Sequence, residues 1–414
     1  MRDDPLNDTL VIILAGGQGE RLYPLTRDRA KPAVPFGGIY RIIDFTLSNC
    51  LNSGCSRIYM LTQYKSFSLE RHVTLGWNPV FNNPEIGRIL AILPPQMRTG
   101  TQWYLGTADA IYQNVYMLQL VRPQRVLILA GDHIYKMDYS KMIRSHIDQG
   151  ADLTVACVPV EKSQASQLGI AVVDPQSRIT GFQEKPKENA ATIPGDPSRC
   201  LASMGIYVFN TEELVRRVSQ DARRESAHDF GKNIIPDMVA QDARVFAHQF
   251  GDENKKEVLY WRDVGTIDSY YEANMDLVSV NPQFNLYDRD WPIRTYREQQ
   301  PPAKFVFSDS GAQERRGQAW DSLVASGSIV SGGTVEKSIL SPLVRVNSYS
   351  HVSESILMEG VNIGRHARVH RAIIDKGVRI PEGTTIGYDL EADRQRFTVT
   401  ANGIVVVPKD MALD

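Results

Sequence analysis

The sequence predicts two joined architectures, an open and mostly parallel α/β sheet in the first part of the chain and a triangular parallel β-helix in the last. Three observations carry this. Short apolar runs alternate with amphipathic helical stretches as far as about residue 280. Residues 281–320 lose that alternation and become rich in proline. From Leu323 onward, apolar residues recur at steps of five or six.

The apolar runs Leu10–Ala15, Arg57–Thr62 and Arg125–Ala130 show no polar alternation. They suit strands buried on both faces of a parallel sheet. Helices are expected between them at Asp44–Ser53, Thr107–Val121 and Tyr139–Gln149, the second opening on the N-terminal residues Thr107 and Asp109. Ligands of such a sheet bind at the carboxyl ends of its strands. The later segments Leu153–Val160, Gly169–Val173, Ile179–Glu184 and Ser203–Asn210 read as a strand meander. Pro282, Pro292, Pro301, Pro302 and Gly317 then mark 281–320 as a connection. The expected division is therefore 1–280, 281–320 and 321–414.

In the last part three steps add up to a 17-residue period. Ile329, Val346, Ile363 and Ile380 are expected to stack as one column. Val335, Val352, Val369 and Ile386 form a second, and Leu323, Leu340, Leu357 and Ile374 a third. Three apolar corners per coil are what a triangular β-helix needs, because each coil buries its interior only against the next. A helix would give steps of three and four.

Composition excludes several function classes. A chain of 414 residues exceeds one ordinary core. A net charge of −2 offers no global field for nucleic acid or an anionic membrane. The run Leu10–Ala15 is far too short to cross a bilayer, and Met1–Asp8 lacks the basic-then-apolar pattern of a signal peptide. Cys50, Cys55, Cys157 and Cys200 form neither a CxxC pair nor a zinc spacing. A cytoplasmic location with reduced thiols is the expectation.

Chemistry is concentrated where strands end. Gly16-Gly17-Gln18-Gly19-Glu20-Arg21-Leu22 follows Leu14-Ala15 directly. Glycines there let backbone N–H groups approach a phosphate chain. No Gly-Lys-Ser/Thr follows, so this is not a Walker A loop, and the third glycine of a dinucleotide fingerprint is missing. Arg21 and Lys31 add cations suited to phosphate oxygens. Asp132 follows the run Arg125–Ala130, and Asp263 lies in Trp261-Arg-Asp-Val-Gly-Thr266. Two carboxylates in such positions can hold Mg²⁺ against phosphates. His133 reads as structural. Lys185 precedes Pro186, which favours extended backbone and would aim its ammonium into a cleft.

These motifs together resemble the nucleotide-sugar pyrophosphorylases, and within them most closely the ADP-glucose pyrophosphorylase family of bacterial glycogen and plant starch synthesis. The resemblance is carried by Leu14–Thr26, Ala30–Gly38, Arg41–Phe45, Trp103–Ala110, Gly131–Lys136, Glu184–Pro186, Ala202–Phe209, His228–Lys232 and Trp261–Thr266, and it continues through Trp291–Tyr296, Pro301–Phe305 and the β-helix. It implies a Rossmann-like nucleotidyltransferase domain followed by a left-handed, hexapeptide-type β-helix. It implies a homotetramer, with ATP and glucose 1-phosphate as substrates and Mg²⁺ as cofactor. Asp132 and Asp263 would hold the metal, with Arg21, Lys31, Asp132 and Lys185 serving catalysis. Leu14, Ala15, Gly16, Gly17, Gly19, Arg21, Gln63, Tyr104, Gly106 and Thr107 would bind nucleotide. Gly169, Glu184, Lys185, Ser203 and Lys232 would surround glucose 1-phosphate. An anionic metabolite effector would contact Arg29, Arg41 and Lys376. Asp28 stands where some enteric relatives carry an activator-linked lysine, so the effector's identity stays open.

Three other readings remain at this stage. Base choice is barely fixed by sequence, which leaves dTDP- or UDP-glucose pyrophosphorylases. A β-helix also serves acetyltransferases, with His351, His366 and His370 as candidates, although outward polar positions explain them. A regulatory subunit without catalysis could dispense with Arg21, Asp132, Lys185 or Asp263, and all four are present.

Overall fold

The computed structural model describes residues 5–83, 85, 87–96, 103–308 and 315–413. The first four residues of the polar N-terminal stretch lie outside them. The first strand, Thr9–Leu14, is the centre of a nine-stranded sheet. It runs parallel to Arg57–Leu61 on one side and to Arg125–Ala130 on the other. Ile89–Leu93 extends the parallel half. Beyond Arg125–Ala130, the long strand Arg199–Asn210 runs antiparallel and joins Leu153–Glu161 and Gly169–Val173 to the sheet. Leu10 and Ile12 enter the core on one face, Val11 and Ile13 the core on the other, and all four are buried. That is why the strand reads as continuous apolar sequence.

Register sets the site. Leu14 pairs with Ala130, so the two strands end level. The chain continues into the glycine loop from one and into Asp132 from the other. The Gly131 N–H donates to the Leu14 carbonyl at 3.1 Å and fixes the two turns together.

The expected helix Thr107–Val121 is two helices, Thr107–Tyr112 and Val115–Val121. Asn114 makes the break. Its Nδ2 donates to the Ala110 carbonyl at 2.8 Å and to the Tyr104 hydroxyl at 3.1 Å, the side-chain competition that keeps Asn out of helix interiors.

The β-helix has faces of five, five and six strands. Its second predicted column stands in register, Val335 over Val352 over Val369 over Ile386. The other two columns shift in the first coil. Val330 and not Ile329 stacks on Val346, and Val324 and not Leu323 on Leu340. That coil is one residue shorter than the 17-residue period. Below Ile374 the third column continues with Val407, which re-enters after the helix Leu390–Arg394. The structure also moves the start of the solenoid. Lys304–Val306 and Gln318–Trp320, inside the expected connection, already pair with Ile329–Ser331 and Thr334–Glu336. At one corner each coil turns through a left-handed residue: Asp321, Lys337, Glu354 and Arg371, with φ of 45°, 43°, 45° and 46°.

The two architectures share a core. Leu22, Leu25, Phe36 and Phe45 pack with Tyr270, Phe284, Ile356, Met358, Ile373 and Val406. Each fully buried apolar side chain contributes roughly 1.5–3 kcal/mol, so this junction resembles a domain interior. Among the described residues, no helix is long and apolar enough to cross a membrane.

Candidate active site

A cleft of about 730 Å³ opens at the carboxyl ends of the central strands. Its first wall is the glycine loop. Gly19 has φ 66°, and a Cβ there would lie 3.0 Å from both the Lys31 Cβ and the Thr26 Cγ2. Both the left-handed backbone and the close approach require glycine. Gly16 is equally confined, since a Cβ would meet the Gln63 Cβ at 2.8 Å. Thr26 Oγ1 donates to the Gly19 carbonyl at 2.9 Å and closes the loop.

The charged centre is built from three separate segments. The strand His133–Tyr135 pairs antiparallel with Trp261–Asp263, matching His133 with Asp263. Asp132 and Asp263 therefore face one another, and Lys31 Nζ bridges them at 2.9 and 2.7 Å. Arg21 Nη2 lies 3.6 Å from Asp263. Burial pushes the Asp132 carboxyl up, but the Lys31 ammonium and His133 outweigh it and hold it down at about 2. Asp263 is lowered in the same way. Burial disfavours charge on Lys31, and the two carboxylates raise its pKa in spite of it. Asp132, His133 and Asp263 bring ligand atoms within 4.8 Å of one another. Two carboxylates are the oxygen donors a hard divalent cation takes, so this set fits one.

The same cleft is lined by Glu184, Lys185, Gly169 and Ser203. Lys185 departs from the expected extended backbone. Its φ is 49°, and its N–H donates to the Leu168 carbonyl at 3.0 Å as the chain turns off the strand Ile179–Glu184. Its Nζ lies 3.7 Å from Glu184 Oε1. The Glu184 carboxyl is raised by burial and by Asp229, against the pull of Lys185.

Of the residues expected at the site, Leu14, Gly16, Gly17, Gly19, Arg21, Lys31, Thr107, Asp132, Gly169, Glu184, Lys185, Ser203 and Asp263 line the cleft. Others stand behind it. Ala15 is buried in the sheet core, Gln63 backs Gly16, and Tyr104 is held by Asn114. Gly106 precedes the helix Thr107–Tyr112. Lys232 sits on the turn Phe230–Ile234, whose cap is Asp229.

Sequence reasoning assigned no role to Asp229. Its carboxylate accepts from the backbone of Gly231 at 2.9 Å and Lys232 at 3.1 Å, and from Thr107 Oγ1 at 3.1 Å. It ties the start of the helix Thr107–Tyr112 to the turn Phe230–Ile234, whose Gly231 lies against Glu184. The only signal was its place in His228-Asp-Phe-Gly-Lys232. Phe182, Tyr207 and His133 also line the cleft.

The effector candidates separate. Arg41 and Lys376 line a cavity of about 380 Å³ between the two domains, with Arg71, Arg297 and Glu359. Arg41 Nη1 donates to Ser68 Oγ at 2.7 Å, and Lys376 Nζ to Glu359 at 2.6 Å. Arg29 does not line this cavity; Asp375 takes its guanidinium. On the β-helix, His366 stacks on Tyr349 and His370 Nδ1 lies 2.9 Å from Ser353 Oγ.

A glycine loop, two carboxylates bridged by Lys31, and Lys185 beside Glu184 in one cleft suit a transferase of phosphorylated groups. Residues 10–280 match the nucleotidyl transferase family, and residues 301–407 match the GlmU-like C-terminal hexapeptide family, whose repeat builds left-handed β-helices. A glucose-1-phosphate adenylyltransferase of Koribacter versatilis is 58% identical over 98% of this chain and 96% of its own. One of Rhodopirellula baltica is 55% identical, covering 98% and 91%. One of Anaeromyxobacter is 53% identical, covering 98% and 99%. The chain belongs to the glucose-1-phosphate adenylyltransferase family.

Proposed function

We propose that the protein joins ATP to glucose 1-phosphate, forming ADP-glucose and releasing pyrophosphate, as a step that supplies glycogen or starch synthesis. The observation that carries this reading is the level ending of Thr9–Leu14 and Arg125–Ala130. It sets the glycine loop beside Lys31, Asp132 and Asp263, with Lys185 across the cleft. A phosphate oxygen of the sugar phosphate attacks the α-phosphorus of ATP. A new P–O bond forms, and the bond to the β-phosphate oxygen breaks. The attacking oxygen of the sugar phosphate is already ionised at neutral pH, so no strong general base is required. The residues act by position and charge. Arg21, Lys31 and the loop N–H groups bind the triphosphate, and Lys185 holds the sugar phosphate. Asp132 and Asp263 are the residues to hold Mg²⁺, which when bound neutralises charge developing on the phosphates.

The test is pyrophosphate release from glucose 1-phosphate with ATP, UTP, dTTP or GTP, with and without Mg²⁺. ATP is expected to be preferred and Mg²⁺ required. Preference for dTTP or UTP would transfer the reading to another pyrophosphorylase. We further propose a cytoplasmic homotetramer, checked by light scattering. Its anionic metabolite effector is held by Arg41 and Lys376, while Arg29 supports the wall behind them.

A further inference from the structure

The segment between the glycine loop and Lys31 is held from outside its own domain. Arg29 lies two residues before Lys31. Its Nη2 donates to both oxygens of Asp375, at 2.9 and 3.0 Å. Both side chains are buried, 5% and 2% exposed. Asp375 directly follows the β-helix strand Ala372–Ile374. A second tie runs from Arg27 Nη2 to the Lys409 carbonyl at 2.6 Å. Inside the segment, Thr26 grips the Gly19 carbonyl. One short stretch, Thr26 to Lys31, thus touches the glycine loop, both site carboxylates and the β-helix.

Stability alone does not account for the pair. Desolvating two charges offsets much of their attraction, and apolar residues of similar volume would pack as well beside Met358, whose Sδ lies 3.8 Å from Arg29 Nη1. Arg29 Nη2 shared between both oxygens of Asp375 fixes where the planar guanidinium sits.

We infer that Arg29 and Asp375 are a positioning pair for the transfer reaction, through which the β-helix sets Lys31 and Gly19 and completes the cleft. This rests on the reading proposed above. Asp375 Oδ1 also accepts from the N–H of Lys376 at 2.7 Å. The carboxylate that holds Arg29 therefore adjoins the wall of the interdomain cavity. An anion drawn to Lys376 acts two contacts away from the segment that carries Lys31.

The test uses the full-length protein with ATP, glucose 1-phosphate and Mg²⁺, varying each substrate in turn. Asp375→Asn removes the charge, and Arg29→Lys keeps the charge and loses the planar guanidinium. Tyr271→Phe and Thr400→Ala are the controls. They cut other links between the domains, from Tyr271 to the Glu354 carbonyl at 2.6 Å and from Thr400 to Asp268 at 2.9 Å. The first two variants are expected to lower kcat and raise the KM for ATP, each on the order of tenfold. The KM for glucose 1-phosphate stays unchanged, because Glu184 and Lys185 stand at the end of the strand Ile179–Glu184, away from this segment in the chain. Amide exchange quickens over residues 26–33 while Arg125–Ala130 stays protected. The controls leave all of these unmoved. Wild-type kcat and ATP response in folded Asp375→Asn or Arg29→Lys overturns the proposal, as do equal losses in the controls. If neither variant folds, the pair is structural and the proposal fails. If the wild type makes no sugar nucleotide, the functional reading fails by itself, and the exchange result still judges the pair.

Discussion

Asp132 and Lys185 line one cleft, and the proposed reaction gives them different tasks. Asp132 organises charge that exists only as the bond is exchanged. Asp132→Ala is expected to lower kcat by about 10²-fold or more while circular dichroism stays native. A folded variant with near-normal turnover would remove Asp132 from the mechanism. In the proposed reaction Lys185 holds a phosphate that is charged before and during the transfer. Lys185→Ala is therefore expected to raise the KM for glucose 1-phosphate about tenfold or more and to change kcat little. Loss of ATP response with the sugar-phosphate response intact would show the role to be wrong. A third residue contributes to acid sensitivity. His146 is buried, bonded to Thr154 Oγ1 at 2.9 Å and Asn210 Oδ1 at 3.2 Å, and burial lowers its pKa from 6.5 to about 4. Between those values the unfolded chain binds the proton and the folded chain does not, so stability falls as pH drops from 6.5 towards 4. The loss is on the order of 3 kcal/mol. Thermal melts from pH 4 to 7 should show it, and His146→Gln should flatten that slope. An equally steep acid slope in the variant would assign it to other groups.

At the scale of elements, the β-helix draws its strength from columns. Leu357 lies fully buried between Leu340 and Ile374. Leu357→Ala is expected to cost about 2–5 kcal/mol, read from denaturant unfolding of the β-helix. A loss below 1 kcal/mol would mean the coils collapse around the gap. These columns were legible in sequence wherever each coil repeats the last, as with Val335, Val352, Val369 and Ile386. They slipped by one residue at Ile329 and Leu323, because the spacing of later coils says nothing about a shorter first one. The glycine loop was legible because Gly19, Arg21 and Lys31 are neighbours in the chain. Asp229 was not, because its role exists only once Thr107 arrives beside it from 122 residues away. Arg29 reads as a surface cation until Asp375, 346 residues on, is folded against it. The break at Asn114 depends likewise on a side chain choosing a carbonyl over the helix.

For the whole molecule, the question is how one domain informs the other. The interdomain cavity is lined by Arg41, Arg71, Arg297 and Lys376 against two acids, Glu298 and Glu359. A screen of fructose 1,6-bisphosphate, fructose 6-phosphate, 3-phosphoglycerate, pyruvate, AMP and phosphate is expected to find a metabolite that changes the initial rate. Arg41→Ala and Lys376→Ala should weaken that response and leave the unstimulated rate. Responses unchanged in both variants would put the effector elsewhere. The corner column of the β-helix bears on the molecule in another way. Its left-handed residues run Asp321, Lys337, Glu354, Arg371, an alternation of sign from coil to coil, and Arg371 lies 3.4 Å from Glu354. Valine columns are nearly identical at every level and do not distinguish one coil from the next. A chain that misthreaded by skipping a coil would keep its oily interior and bring acid beside acid and base beside base, which neighbouring strands resist. The corner thus acts as a page number, keeping the coils in order while they stack.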